Sequence, residues 1–438
     1  SGPCAAATVP SIRAVRGCDR AVVLAEALAA RAAGSVALVG DERWSEELFA
    51  AQVAQAEQAL ADLAARDAET AARLGWAAFT SGSTGRPRVV LRTDESWQAG
   101  HGAVAGWLGL SAGEGLLVPV HPVSSMVVNA AAFCAATGTR LLVPGRARLR
   151  AEDLRGAAAL HATPAQLLDV LDLLDDGADS TLRVLLIGGD RLPDGARERA
   201  AAHGLRLSHY YGSAEASFVA VDHDGTGLRP LPGVEVRVGH DDAPAGVDGE
   251  GAADEAVGPL EVRSPQLAAP DDSRLSDGVA RWSEDGFLRT GDRAAWDPAS
   301  GVLRVLGRAD DAILTGGATV HPADVEAELQ AVTGADGRPV AAAVLVLGIE
   351  DRRLGQRVAA WVQPASGVAA DEALAALRAA APRRLSPAAR PRRWQTVETL
   401  ERTSSGKVRR VRPDGEVRSV RPDAEDRSAR PDGGEDGA

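Results

Sequence analysis

The stretch that decides the fold reads Ala77-Ala78-Phe79-Thr80-Ser81-Gly82-Ser83-Thr84-Gly85-Arg86-Pro87-Arg88. A short apolar run breaks into a loop in which hydroxyls and glycines interleave. Placed after a strand, such a loop can turn backbone N–H and side-chain O–H groups onto phosphate oxygens. The GxxxxGK[ST] pattern is missing, which excludes a Walker-type loop. Taken alone, the stretch would serve equally well as a surface turn.

Working outward, the chain from residue 75 on alternates between two textures. Apolar, β-like runs at 116–120, 140–143 and 184–187 lie beside Gly, Pro or Asp turns, and helix-like segments at 164–174 and 193–203 lie between them. This βαβα alternation predicts an α/β fold with a largely parallel sheet and flanking helices. Upstream, residues 19–73 carry helical spacing, as in Leu48, Val53, Ala56, Leu60 and Leu63. Residues 225–306 turn β-rich and predict a small appended sheet or β-barrel part.

A further change comes near residue 310. A helix at 322–329, strands at 341–347 and 358–362 and a helix at 371–380 predict a separate small α+β domain. The expected division is an N-terminal domain over 1–309, a C-terminal domain over 310–410 and a tail over 411–438. The tail holds three imperfect nonapeptides, each with Arg-Pro-Asp at its second to fourth positions. So few apolar groups cannot offset the entropy of ordering, and disorder is expected there.

With 438 residues, 45% of them apolar, the chain can bury more than one core. Its formal charge of −13 repels nucleic acid and anionic lipid, so neither is an expected partner. Cys4, Cys18 and Cys134 form no CxxC pair, which argues against a zinc site or a disulfide framework. The apolar stretches at 21–40 and 116–136 are interrupted by polar residues and suit neither a signal peptide nor a membrane span. A soluble, cytoplasmic protein is expected. Of 48 basic residues 47 are arginine, and the one lysine is Lys407. A drift from lysine to arginine wherever charge alone matters makes that survivor notable.

Downstream of the loop stand Tyr211-Gly212-Ser213-Ala214-Glu215, Thr290-Gly291-Asp292, Gly307-Arg308-Ala309-Asp310-Asp311 and Ser405-Gly406-Lys407. In this order and at these spacings the chain resembles the adenylate-forming superfamily of acyl- and aryl-CoA synthetases, carrier-protein adenylation domains and luciferases. The resemblance covers residues 76–410. In size it is similar to the short o-succinylbenzoyl-CoA synthetases. It implies a large N-terminal domain, a small mobile C-terminal domain, and a reaction that joins a carboxylate to the α-phosphate of ATP. The acyl group then passes to coenzyme A.

The resemblance also implies roles. Thr80, Ser81, Gly82, Ser83, Thr84, Gly85 and Arg88 would hold the terminal phosphates, and Glu215 would bind Mg²⁺. Gly188, Gly189, Asp190, Tyr211, Gly212 and Ser213 would form the adenine pocket, with Asp292 on the ribose hydroxyls and Arg308 behind it. Lys407 would bridge the carboxylate and α-phosphate, so Lys407, Glu215 and Arg308 are the catalytic set, and Asp310 would be the hinge. Gly316 and Gly317 would border the pantetheine channel.

The chain departs from the family pattern in two places. Arg88-Val89 stands for the usual Lys-Gly, a change that keeps the charge. Ala214 stands for a Thr or Ser whose hydroxyl helps orient phosphate or carboxylate. The pocket segment 121–133 carries His121, Ser125 and Asn129 but no acid, so an amino acid with its α-ammonium is not expected as substrate. Coenzyme A is the expected acceptor. The alternatives are a carrier-protein thiol, an amine, and nitrite activation for diazotisation; a non-catalytic nucleotide-binding protein is the rival of another class. Oligomeric state is left open.

Overall fold

The computed structural model describes residues 8–79, 88–239 except 147, 256–308 except 274–278 and 280, and 311–413 except 312, 316, 317, 321, 335, 352–354, 387, 404 and 405. The phosphate-loop residues Thr80 to Gly85, the expected hinge Asp310, Gly316, Gly317 and residues 414–438 of the tail lie outside the described residues. The chain divides into two compact units. The larger takes residues 1–312, 321–324 and 401–410, and the smaller takes 313–320, 325–400 and 411–438.

The larger unit opens with β1 (Ile12–Val15), α1 (Arg20–Ala32), β2 (Val36–Val39), α2 (Glu46–Arg66), α3 (Ala68–Ala72), β3 (Leu74–Phe79) and β4 (Val89–Thr93). Its strands form one sheet in the order β1-β2-β3-β4, parallel except for the β3–β4 pair. Ser45 caps α2 by accepting from the Leu48 N–H, and Gln52, Ala56, Leu60 and Leu63 form its buried face. Leu48 lies off that face, 37% exposed. The helical reading of residues 19–73 misses β2. Val36-Ala37-Leu38-Val39 is buried on both faces, so it shows no alternation and cannot be told from a helix by period.

A second sheet follows, from α4 (Asp94–Leu108), β5 (Gly115–Leu117), α5 (Ser125–Thr137), β6 (Arg140–Leu142), β7 (Ala159–Ala162), α6 (Pro164–Asp175), β8 (Val184–Gly188), α7 (Ala196–Ala202), β9 (Arg206–Ser213), β10 (Ser217–Asp222) and β11 (Arg229–Pro230). Its order is β11-β10-β9-β8-β7-β5-β6, parallel from β6 through β9. One face packs Leu160, Leu185 and Ile187 onto Leu167, Val170 and Leu171 of α6. The other packs Leu116, Leu186 and Tyr210 in one cluster with Leu108 of α4 and Val127 and Phe133 of α5. This is the α/β sandwich that the alternation predicted. The β-rich stretch forms a third, antiparallel sheet of β12 (Glu235–Val238), β13 (Ala256–Arg263), β14 (Leu288–Asp297) and β15 (Val302–Arg308).

The smaller unit is α+β. It comprises β16 (Ile313–Thr315), β17 (Ala318–Val320), α8 (Pro322–Gln330), β18 (Ala341–Asp351), β19 (Gly355–Pro364), α9 (Ala370–Arg384) and β20 (Arg393–Thr396), with the opening residues of α8 grouped with the larger unit. The strand order is β17-β16-β19-β18, and β20 adds in parallel to β19. Val344, Val346, Val358, Ala360 and Val362 face Leu374 and Leu377 of α9 in its core. No helix among the described residues is long and apolar enough to cross a membrane.

Candidate active site

Parallel sheets place loops and helix N-termini at the carboxyl ends of their strands, which is where α/β folds bind ligands. Here β7 is followed directly by Thr163, β8 runs into Gly188-Gly189-Asp190 and β9 ends in Tyr211-Gly212-Ser213. Thr163 caps α6, its N–H donating to Gln166 Oε1 at 3.0 Å. A Cβ on Gly188 would lie 2.2 Å from the Tyr210 ring, so only glycine lets that ring close the sheet. A Cβ on Gly189 would lie 3.7 Å from Thr163 and 3.9 Å from Met126, which places it between the starts of α5 and α6. Asp190 is exposed, and its carbonyl meets His209 Nε2 at 2.9 Å.

Successive strand residues face opposite sides, and the two tyrosines divide accordingly. Tyr210 points into the core, its Oη 2.9 Å from His161 Nε2. Tyr211 lies on the other face and donates its O–H to Asp292 Oδ2 at 2.5 Å. Asp292 lies on β14, in register with Arg308 on β15, and their side chains approach to 3.7 Å. Burial pushes the Asp292 carboxyl above its usual range, against the opposing pull of Arg308, the Tyr211 hydrogen bond and the charge of Lys407. Burial and the Asp292 charge together raise the Tyr211 phenol well above the ordinary value.

The turn from β9 to β10 holds Glu215. A Cβ on Gly212 would meet the Ser217 carbonyl at 1.9 Å, so glycine is required where the hairpin pinches. Ser217 adopts a left-handed φ of 56°, and Ser213 Oγ accepts from the Ala216 N–H at 3.1 Å. Beneath the turn lies Arg92, fully buried on β4. It donates to the carbonyls of Ala214 (2.6 Å), Glu215 (3.2 Å) and Gln266, and to Ser217 Oγ at 2.8 Å. The Glu215 carboxylate pairs with Arg88, and Arg281 approaches the same oxygen at 4.0 Å.

Lys407 comes to this place on a tight hairpin of the larger unit. Thr403 N–H donates to the Lys407 carbonyl at 2.7 Å, the Lys407 N–H returns to Thr403 Oγ1 at 3.2 Å, and Arg402 bridges to Val408. A Cβ on Gly406 would lie 3.4 Å from Ala165 at the start of α6. Of the sequence-derived set, Tyr211, Asp292, Arg308 and Lys407 thus act on one another, and Arg88 pairs with Glu215.

His121 is buried, with Nε2 2.6 Å from Glu42 Oε2 and Nδ1 accepting the Val123 N–H at 3.2 Å. Because Nδ1 accepts, the ring proton resides on Nε2 and is donated to Glu42. Burial lowers the imidazole pKa, and the charges of Glu42 and Asp41 oppose that. Asp41, Glu42 and His121 are close enough together to hold a metal ion, but Asp41 already takes Arg43 in a two-point pair. Ser124 bridges to Phe79, the last residue of β3. Ser125 opens α5, and Asn129 is buried one turn further on. Sequence reasoning missed Arg92, Arg281 and Glu42. The one available signal was Arg92, a charge directly after the apolar run Val89-Val90-Leu91.

The family described as AMP-binding enzyme matches residues 4–269, and the AMP-binding enzyme C-terminal domain matches 337–407. A "Probable 2-succinylbenzoate--CoA ligase" of Mycobacterium tuberculosis is 33% identical over 342 residues, which are 76% of this chain and 81% of that protein. The O-succinylbenzoate coenzyme A synthetase (MenE) of Bacillus subtilis, solved with ATP and magnesium ion, has a similar fold. The TM-score is 0.73 at 20% identity, over 91% of this chain and 88% of that one. The amide bond synthetase McbA of Marinactinospora thermotolerans gives a TM-score of 0.72 at 24% identity, over 92% and 88% of the two chains. The chain therefore belongs to the AMP-binding enzymes, the adenylate-forming superfamily.

Proposed function

We propose that the chain is an ATP-dependent, AMP-forming acyl- or aryl-CoA ligase. The observation that carries this is the convergence of Tyr211, Asp292, Arg308 and Lys407 at the carboxyl ends of β7 to β9. In the first step a carboxylate oxygen of the substrate attacks the α-phosphorus of ATP. The bond from that phosphorus to the bridging oxygen breaks, and pyrophosphate departs with the electron pair. In the second step the sulfur of coenzyme A attacks the acyl carbonyl, AMP leaves, and the thiol proton goes to solvent.

Charge placement does most of the work in such a reaction. The Tyr211 ring face supports adenine, and Asp292 accepts from the ribose hydroxyls. Arg88 and residues 80–85 hold the terminal phosphates. Lys407, a compact cation on a flexible stem, lies between the substrate carboxylate and the α-phosphate. Glu215 is a partly buried hard oxygen donor, which fits Mg²⁺ shared with phosphates and water. Bound there, the ion would neutralise charge on the terminal phosphates.

The acid is an acyl or aryl carboxylate, with Ser125 and Asn129 as polar groups on α5. Residues 310–410 act as a mobile domain hinged at Asp310, residues 411–438 as a passive tail, and the enzyme works in the cytoplasm, where ATP and coenzyme A are supplied. A second reading keeps adenylation but delivers the acyl group to a carrier-protein thiol or an amine. Ala214, which leaves the turn without the family's hydroxyl, favours it. The test is ATP–pyrophosphate exchange across a panel of fatty, aryl and dicarboxylic acids, followed by mass spectrometry of the product with coenzyme A. Exchange that never depends on an added acid would defeat the ligase reading.

A further inference from the structure

Arg281 lies ahead of β14 and is 6% exposed. Its backbone is fixed on both sides: its N–H donates to the Ser273 carbonyl at 2.9 Å, and its own carbonyl accepts from the Arg289 N–H at 2.7 Å. Nη1 donates to the carbonyls of Arg289 at 3.3 Å and Thr290 at 3.2 Å, which holds the guanidinium two residues from Asp292. That same Nη1 is 4.0 Å from Glu215 Oε1, an oxygen already bonded by Arg88. Its Nε is buried without a hydrogen-bond partner. Burial foremost, and then the charges of Arg88 and Arg308, disfavour its charged form, and the charges of Glu215 and Asp271 oppose that.

A buried guanidinium crowded by two others is costly unless an anion joins it. Two cations flank the Glu215 carboxylate, one bonded to it and one at 4.0 Å, so arginine charge is concentrated at this corner in a chain whose total is −13. We infer that Arg281 is a second binding residue for the β- and γ-phosphates of ATP, closing with Arg88 on the pyrophosphate that leaves during adenylation. The inference rests on the nucleotide reading above. Arg281 belongs with the terminal phosphates and not with the adenosine or the α-phosphate, because its guanidinium, though held by the Arg289 and Thr290 carbonyls, approaches the Glu215 oxygen that Arg88 bonds. A planar fork suits this task, because it can meet two phosphate oxygens at once.

Calorimetric titration of ATP, AMP and inorganic pyrophosphate into wild type, Arg281→Gln and Arg281→Lys separates the cases. Loss of a charge-assisted fork should weaken ATP and pyrophosphate about tenfold or more in Arg281→Gln, with AMP held within about twofold. Arg281→Lys should recover part of the loss. Equal weakening of ATP and AMP, or no change in either, would overturn the assignment and leave Arg281 as a strut for β14. If Arg281→Gln no longer binds AMP because it misfolds, Arg281→Lys carries the test, and an unchanged preference for ATP over AMP overturns the inference. Wild type that binds neither nucleotide would sink the nucleotide reading itself, and this inference with it.

Discussion

The buried guanidinium of Arg92 donates to the carbonyl of Ala214 at 2.6 Å, across 122 residues of sequence. Ala214 is the position where the chain lacks the family's hydroxyl, and its backbone is held from below. The same side chain takes the Glu215 carbonyl, Ser217 Oγ and the Gln266 carbonyl, so one residue fixes the turn that presents Glu215. Burial lowers its pKa to about 9, which still leaves it charged at neutral pH.

Arg92→Met removes the donor from all four acceptors while relieving the burial of a cation. Unmade buried hydrogen bonds outweigh that relief, and a net loss of about 3 kcal/mol is expected in denaturant unfolding. Arg92→Lys keeps the charge but lacks the fork, and should fall between the two. A Met variant as stable as wild type would show that the turn holds itself.

Asp292 separates stability from function. Its folded pKa is raised above the ordinary 3.8, so the ionised carboxylate costs stability at neutral pH. The sign follows: the group's favourable contribution is full below pH 3.8 and is lost as pH rises through the folded value. Asp292→Asn should therefore melt at or above the wild-type temperature at pH near 7, with the gain gone in strong acid. Under the proposed function the same change removes the acceptor for ribose, and ATP and AMP should both weaken about 10- to 100-fold. Lower melting with unaltered nucleotide affinity would make the carboxylate a structural group only.

Much of this site could be read in the chain because its signals are local. Tyr211-Gly212 and Thr290-Gly291-Asp292 are short motifs, and Lys407 stands out as a single lysine among arginines. The alternation of apolar runs and amphipathic segments likewise gave away the parallel sheet, as in β8 followed by α7. What stayed hidden depends on distant pairings. Arg92 and Arg281 are two arginines among 47, and nothing near them in sequence reveals that each meets the Glu215 turn. His121 drew notice as a pocket residue, yet its partner Glu42 lies 79 positions away on another sheet's loop. Strand β2 was missed for a different reason: burial on both faces erases its period.

His161 makes the fold sensitive to acid. It is 2% exposed against Tyr210, and burial pushes its pKa down to about 3 from 6.5. The unfolded chain takes up a proton below pH 6.5 that the folded chain refuses. Stability from this group is therefore full above pH 6.5 and drains as pH falls toward 3, by at most about 1.4 kcal/mol per pH unit. His101, His121 and His209 are also lowered by burial and add to the slope, so a difference measurement is needed. His161→Phe should flatten the dependence of unfolding free energy on pH by up to one proton between about pH 4 and 6.5. Parallel curves for the two proteins would mean that His161 is protonated in the folded state.

Lys407 should act in one half-reaction and not in the other. Its hairpin is closed by Thr403 on both sides of the backbone, which fixes the main chain and leaves the side chain to reach the site where its charge already acts on Asp292. Removing one preorganised cation from a developing phosphorane should slow adenylation about 10²- to 10³-fold in Lys407→Ala. AMP affinity should change little, because the proposed function assigns adenine to Tyr211 and ribose to Asp292. Conversion of a supplied acyl-adenylate to thioester should be largely retained, because the phosphorus chemistry is then complete. Lys407→Arg tests why this lysine outlasted the drift that replaced the others: if charge alone sufficed, arginine would restore exchange. A planar fork cannot place a compact charge between a carboxylate and a phosphate oxygen, so Lys407→Arg should stay much nearer to alanine than to wild type. Full exchange with arginine, or equal loss of both half-reactions with alanine, would remove Lys407 from the chemistry and leave it a surface cation.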